Sequence, residues 1–257
     1  ATKRALLESE SDKIFRSHEE LNNLQTMPES AVFAILTSID KIHHMWADKQ
    51  LTSLMLASRF GYLSAVKTLI QNNADVNAKS ADPRDICTAL TMACEEGHFE
   101  IATALLDAGA DPNELWDENK PTQKTPLMHA AENGHVQCVE LLIERKANVD
   151  AHKKGRNILM FACQYGYTTS ARLLIDAGAD INAIKKKDTL VPGSAPFSER
   201  VNSGGDMSAL SFAARFGQTS AVSLLLERGF DIEVEGNQPF WTSLHRSAGN
   251  GKPEAAR

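Results

Sequence analysis

Thr125-Pro126-Leu127-Met128-His129-Ala130-Ala131-Glu132-Asn133-Gly134-His135 is the stretch that decides the fold, because it contains both a helix start and a helix stop. The hydroxyl of Thr125 is a good acceptor for the free N–H groups of a first helical turn. Ala130 and Ala131 are small enough to let a neighbouring helix approach closely. Gly134 can adopt the positive φ that ends a helix. The stretch therefore predicts a short, closely packed helix between Thr125 and Gly134.

The same pattern occurs six times along the chain. Each copy starts with a residue that has a short side-chain oxygen, namely Thr52, Thr88, Thr125, Asn157, Ser208 and Thr242. The turn glycines that follow are Gly61, Gly97, Gly134, Gly166, Gly217 and Gly251, and the steps between them are 36, 37, 32, 51 and 34 residues. Beyond the glycines a second helix is predicted, since apolar residues recur at helical spacing, as in Cys138, Val139, Leu141 and Leu142. A period of about 33 residues is typical of helical solenoids.

Together with Leu141-Leu142 and Ala147-Asn148-Val149-Asp150, the stretch from Thr125 resembles an ankyrin repeat at nearly every signature position. The resemblance covers roughly residue 50 to the C-terminus. It implies an all-α fold, an ankyrin-repeat solenoid of stacked antiparallel helix pairs with projecting β-hairpin fingers. It also implies a concave surface that binds other proteins.

The repeats divide the chain into two parts. Residues 1–49 are expected to form a helical N-terminal segment with a degenerate capping repeat, and residues 50–257 the ankyrin repeats. Five full repeats are expected at about 50–79, 86–115, 123–152, 155–183 and 206–234, and a truncated sixth repeat at 240–257. The truncated repeat favours a natural chain that continues past residue 257. The long insert at 184–207, which contains several Ser, Gly and Pro residues, is equally compatible with a functional loop and with disorder.

The composition excludes several classes of protein. The 257 residues carry a formal net charge of −6, which is the wrong sign for a general binder of phosphate backbones, so nucleic acid is not an expected partner. The longest clean apolar run, residues 31–36, is far shorter than the ~20 residues that span a membrane as a helix, so no membrane span is expected.

The cysteines indicate a reducing compartment. No C-x-x-C pair is present, which argues against a disulfide framework and a zinc site. Cys94, Cys138 and Cys163 fit core positions of the repeats, and Cys87 in a finger is the thiol expected to be exposed. The expected location is cytoplasmic, with the nucleus, or a host cytosol for a delivered effector, as alternatives.

No pattern in the sequence predicts catalysis. His98 and His135 directly follow turn glycines, and His245 follows a leucine in a first helix, so all three are assigned to the repeat signature. The adjacent pair His43-His44 has no third ligand nearby in sequence, and no G-x-x-x-x-G-K-[ST] phosphate loop is present. We therefore predict no enzyme activity, no metal, no cofactor and no small-molecule substrate.

The resemblance places the partner-binding residues just before the turn glycines. Those positions hold Arg59, Phe60, Glu95, Glu96, Glu132, Asn133, Gln164, Tyr165, Arg215 and Phe216, and Trp116 in a lengthened finger joins them. Phe60, Tyr165 and Phe216 are expected to be exposed and to anchor a protein partner. The alternative is that these rings lie flat against neighbouring helices. Because the middle of the row is acidic and its ends carry arginine, a partner with a basic centre and apolar flanks would be complementary.

Two basic fingers form a second candidate surface, an expected basic edge. Its residues are Lys153, Lys154, Arg156, Lys185, Lys186 and Lys187. One repeat separates the two clusters, so stacking is expected to bring them together. An acidic peptide, a nucleic acid or an anionic headgroup could use such an edge, and a solvated charge run is the alternative. The resemblance also makes Asn77 and Asn182 candidate substrates of asparaginyl hydroxylases, with a structural role in the turn as the alternative.

The predicted function is that of a monomeric, non-catalytic interaction module. It is expected to bind an unidentified partner protein through the concave groove and the finger tips. The alternative is a targeting or substrate-recruiting region of a larger enzyme or effector whose catalytic domain lies beyond residue 257. A weaker alternative is a binder of nucleic acid or anionic surfaces through the basic edge.

Overall fold

The computed structural model describes residues 51–80, 86–114, 124–153, 155–185 and 207–232. The chain divides into two compact units, residues 1–115 and residues 116–257. The expected capping repeat at 1–49 and the expected truncated repeat at 240–257 lie outside the described residues.

The described residues form ten short helices and four two-residue strands. The first unit contains α1 (Ser53–Arg59), α2 (Leu63–Gln71), α3 (Ala89–Glu96) and α4 (Phe99–Asp107). The second unit contains α5 (Pro126–Asn133), α6 (Val136–Glu144), α7 (Ile158–Tyr165), α8 (Thr168–Asp176), α9 (Ala209–Phe216) and α10 (Thr219–Glu227). Its strands are β1 (His152–Lys153), β2 (Arg156–Asn157), β3 (Ile184–Lys185) and β4 (Met207–Ser208).

Side-chain caps fix where the first helix of each pair begins. The Thr125 hydroxyl accepts a hydrogen bond from the Met128 backbone N–H at 3.3 Å, and the Asn157 side-chain oxygen accepts one from Met160 at 3.0 Å. Thr52, Thr88 and Ser208 cap their helices in the same way. Each cap satisfies a backbone donor that the helix itself leaves free. The predicted helix starts are confirmed at these five residues, and the sixth, Thr242, lies outside the described ranges.

The helices form two layers in each unit. In the first unit α1 packs on α3 and α2 on α4; in the second, α7 packs between α5 and α9, and α8 between α6 and α10. The small pairs lie where the layers meet, and Ala130, Ala131, Ala162 and Cys163 are all 0% exposed. Small side chains allow this close approach, because a larger group would overlap the adjacent helix. The predicted all-α fold of stacked helix pairs is confirmed.

In three places the residue after a turn glycine packs on the turn glycine of the preceding helix pair. His98 lies over Gly61, Tyr167 over Gly134 and Gln218 over Gly166. Gly61 has a φ of +80°, and a Cβ there would lie 2.9 Å from His98 Cε1. Gly61 is therefore required both by its backbone conformation and by its neighbour.

Two short antiparallel ribbons close the fingers of the second unit. β1 pairs with β2, with His152 opposite Asn157. β3 pairs with β4, with Ile184 opposite Ser208 and Lys185 opposite Met207. The long insert expected at 184–207 thus begins in β3 and ends in β4. Strands of two residues are too short to show alternating hydrophobicity, so the pattern could not predict them.

Candidate protein-interaction surface

The residues that precede the turn glycines, here called the helix-end row, include two exposed aromatic side chains. Tyr165 ends α7 and Phe216 ends α9, the helix that packs beside it in the second unit. Their exposed fractions are 45% and 44%. Phe60 in the first unit is only half-buried, and its ring centroid lies 6.2 Å from that of Tyr62. The expected exposure holds fully for Tyr165 and Phe216 and only in part for Phe60.

Charged side chains of the helix-end row are paired within the chain. In the first unit Arg59 Nε lies 3.7 Å from Glu96 Oε1, with both side chains partly exposed. In the second unit Glu132 forms an ion pair with Lys124. The neighbouring Glu95 is exposed. The charges of Glu96 and Glu132 are thus compensated by basic neighbours.

A half-buried imidazole lies on the first helix of the second unit. His129 is on α5, and its backbone oxygen accepts a hydrogen bond from Asn133 Nδ2 at 3.1 Å. Burial, together with the nearby positive charge of Lys124, lowers the pKa of His129 to about 4. Lys153 acts in the same direction, and Glu132 opposes both lysines. The imidazole is therefore neutral at physiological pH.

Arg156 was expected on an exposed basic edge, but its side chain packs against two aromatic rings. Its guanidinium carbon lies 4.1 Å from the ring centroid of Phe161 and 4.5 Å from that of Phe212. Its Nη2 donates a hydrogen bond to Gln164 Oε1 in the helix-end row. Arg156 is thus half-buried against α7 and α9. The aromatic rings attract it because a guanidinium stacks well on a π face.

The lysines of the basic edge are described only in part. Lys153 is on β1 and Lys185 on β3, and a Cβ on Gly155 would lie 3.4 Å from Lys185 Cγ. Lys185 therefore touches the finger that carries Lys153. The other predicted members of these surfaces, Lys154, Lys186, Lys187 and Trp116, lie outside the described residues.

Asn77 and Asn182 connect successive repeats. Asn77 Nδ2 donates to the Gly109 carbonyl at 3.1 Å, and Asn77 Oδ1 accepts from the Asp111 N–H at 2.9 Å. Asn182 Oδ1 accepts from the Asp231 N–H at 3.1 Å. Both side chains therefore hold a turn against the next repeat, which is the structural role considered as the alternative to hydroxylation.

Sequence reasoning missed the site around Arg156. It placed this arginine with the lysines because they are neighbours in the chain. The signal that could have found it is the aromatic residue four positions after the helix cap in two consecutive repeats, Phe161 and Phe212. These rings form a surface on which a cation from the preceding finger can stack.

Within the described ranges, no group of three or more His, Cys, Asp or Glu side chains could hold a metal ion. None of the helices in that part of the chain has the length and apolar character needed to cross a membrane.

Several curated proteins are similar to this chain over part of its length. Ankyrin repeat and KH domain-containing protein mask of Drosophila melanogaster is 36% identical over 101 residues, which is 39% of this chain and 2% of that protein. Transient receptor potential channel pyrexia of Drosophila melanogaster is 37% identical over 108 residues, 42% of this chain and 11% of that protein. E3 ubiquitin-protein ligase XB3 of Oryza sativa subsp. japonica is 33% identical over 93 residues, 36% of this chain and 20% of that protein. The chain thus spans a small part of these relatives.

The family model of ankyrin repeats (3 copies) matches residues 27–115 and 114–185, which together are more than half of the chain. This match agrees with the capped helix pairs, the buried small residues and the paired strands of the fingers described above. The chain belongs to the ankyrin repeat family.

Proposed function

We propose that this chain is a non-catalytic module that binds a partner protein through the helix-end row and the adjoining fingers. Ankyrin repeats are general protein–protein interaction modules and are not themselves catalytic. Membership of the family therefore supports protein binding as the function. The described surface supports the helix-end row as the part of the chain that binds.

The observation that carries the proposal is the pair of exposed rings in the second unit. Tyr165 and Phe216 end two helices that pack side by side. Arg215 lies beside them, with its guanidinium carbon 6.0 Å from the Phe216 ring centroid. Single exposed apolar residues are common on protein surfaces. Two aromatic side chains and an arginine together are the residue types that anchor protein interfaces.

The test compares the wild-type chain with a Tyr165→Ala/Phe216→Ala double variant. Immobilised chain is used to capture proteins from a cell lysate, and the bound proteins are quantified by mass spectrometry. The matched control is Leu226→Ala, because Leu226 is 43% exposed but lies on the second helix of its pair. We expect a specific set of proteins to be lost with the double variant and kept with the control.

Equal capture by all three chains would contradict this place of binding. Circular dichroism is needed alongside, since unchanged helicity and an unchanged melting transition show that the double variant removes a contact surface and leaves the core intact.

A second candidate function is that the module recruits partners for a larger protein. It is supported by the relatives, of which the chain spans 2%, 11% and 20%. One of them is named as an E3 ubiquitin-protein ligase and another as a channel. An antibody raised against the repeats should then detect a band far above 28.1 kDa in cells. A band at that mass alone would exclude this candidate.

A further inference from the structure

An arginine with few hydrogen-bond partners lies next to the helix-end row. The guanidinium of Arg156 stacks on Phe161, and Phe212 lies on a neighbouring helix at a similar distance. Both rings are more than nine-tenths buried, so they form a rigid support. The guanidinium is therefore held in one orientation before any ligand arrives, and a ligand gains affinity from such preorganisation.

The hydrogen-bonding capacity of Arg156 is largely unused. A guanidinium has five N–H donors, and the acceptor found for Arg156 is the neutral amide oxygen of Gln164. Its Nε is buried without a partner. No ion pair joins it to a carboxylate in the described part of the chain. A half-buried cation whose hydrogen-bond partner is neutral is a costly arrangement, because the opposite charge of Glu132 acts only from a distance and offsets its desolvation only in part.

Several charged side chains of the second unit lie around the carboxylate of Glu132. Lys124 and Lys153 are both close enough to His129 to disfavour its protonation, and Glu132, which opposes them, is already paired with Lys124. Glu132 also acts on Arg156 from a distance. Glu132 is therefore paired with Lys124 and acts on Arg156 only from a distance, so Arg156 has no carboxylate in direct contact among the described residues.

We propose that Arg156 is the recognition site for an Asp or Glu side chain of a peptide segment in the partner protein. The carboxylate would accept hydrogen bonds from the guanidinium, whose planar fork matches it. Apolar residues beside that carboxylate would contact Tyr165 and Phe216, the exposed rings next to Gln164 and on the neighbouring helix. This inference rests on the proposed function and adds the chemistry of the partner.

The experiment uses the full 257-residue chain and synthetic peptides. Three bead libraries of heptapeptides have a fixed central Glu, Gln or Lys and random flanks. We expect the chain to be retained most by the Glu library, with an aromatic or aliphatic residue next to the Glu in the selected sequences. A selected peptide and its Glu→Gln analogue are then compared by fluorescence anisotropy.

Changing either side of the contact should weaken binding similarly. We expect the Glu→Gln peptide to bind the wild-type chain roughly tenfold more weakly, as for loss of a charged hydrogen bond. Arg156→Gln should lower affinity by a similar factor and remove the difference between the two peptides. Arg156→Lys keeps the positive charge but lacks the planar guanidinium, so its affinity for the Glu peptide should lie between those of the wild-type chain and Arg156→Gln. Arg172→Gln is the matched control, because Arg172 is an exposed arginine on α8.

Three results would overturn the inference. The first is equal retention by the Glu and Gln libraries, and the second is a Glu→Gln penalty that persists in Arg156→Gln. The third is binding of an oligonucleotide that depends on Arg156 without any preference for Glu peptides. If peptides bind in a way that requires Tyr165 and Phe216 but not a carboxylate, the inference fails and the proposed function stands. If neither ring matters to any partner, the proposed function itself fails.

Discussion

The imidazole of His98 lies directly over Gly61 of the preceding helix pair. His98 Nε2 is 3.0 Å from the Arg59 carbonyl oxygen, and the ring occupies the space that a Cβ on Gly61 would need. A histidine that follows a turn glycine therefore has a structural task in this chain. It joins two repeats by a hydrogen bond and by close packing on a backbone that has no side chain.

Gly61→Ala should destabilise the chain more than Gly109→Ala. Both glycines have positive φ, but nothing lies within 4 Å of a Cβ placed on Gly109. Gly109→Ala should lower the free energy of unfolding by about 1 kcal/mol, and Gly61→Ala by roughly 2–4 kcal/mol, because the contact with His98 adds to the backbone strain. Urea unfolding measures both. In a His98→Ala background, Gly61→Ala should lower the free energy of unfolding no more than Gly109→Ala does. A larger decrease that remains in this background would show that the His98 ring is not its cause.

Asn77→Ala should weaken the connection between the first two described repeats. The change removes the hydrogen bonds to Gly109 and Asp111, and we expect the free energy of unfolding to fall by about 1–2 kcal/mol. Asn72→Ala is the matched control, since Asn72 is exposed and its side chain donates a hydrogen bond to the Thr68 carbonyl within the same repeat. An equal effect of the two substitutions in urea would show that the link between repeats contributes nothing.

Stability should fall as the pH is lowered from about 6.5 to about 4, in part through His129. The pKa of His129 is lowered to about 4 in the folded chain by burial and by Lys124, from 6.5 in the unfolded chain. The unfolded state therefore binds a proton first, and the favourable contribution present above pH 6.5 is lost as the pH falls through this window. The full effect is on the order of 3 kcal/mol.

His129→Phe isolates this contribution, because Phe161 and Phe212 occupy the equivalent positions of the next two repeats. We expect the variant to lose less stability than the wild type between neutral pH and pH ~4.5. Parallel pH profiles in urea would contradict the assignment.

Thiol reagents should modify Cys87 long before Cys163. Burial raises the pKa of the Cys163 thiol to about 12, so almost no thiolate is present near neutral pH, and the side chain is also inaccessible. Cys87 is half-buried. Mass spectrometry after brief alkylation of the native chain should find the label on Cys87, and Cys163 should react only when urea is added. Rapid labelling of Cys163 without urea would show that α7 opens readily.

The features that sequence could predict are those set by local chemistry. The caps at Thr125 and Asn157, the left-handed turn at Gly134 and the burial of Cys163 all depend on residues within one repeat, so the repeated pattern reveals them. The exposure of Tyr165 follows from its position at the end of a first helix.

The features that sequence could not predict depend on contacts between repeats. Arg156 was placed with its lysine neighbours, yet one of the two rings beside its guanidinium is Phe212, which is 56 positions away in the sequence. Linear charge patterns do not show which side chains turn inward, because that choice is made by the surfaces available after stacking.

Because β3 and β4 are paired, the length of the segment between them can change without moving the helices of the second unit. Lys185 at the end of β3 is paired with Met207 at the start of β4. This pairing fixes the distance between the two ends of the intervening segment, whatever its length. Adding residues to a closed loop changes its closure entropy slowly, by about 0.6 kcal/mol for each doubling of length. Codons can therefore be gained or lost here during evolution with little effect on the helices, and a reporter domain inserted at this point should leave them in register.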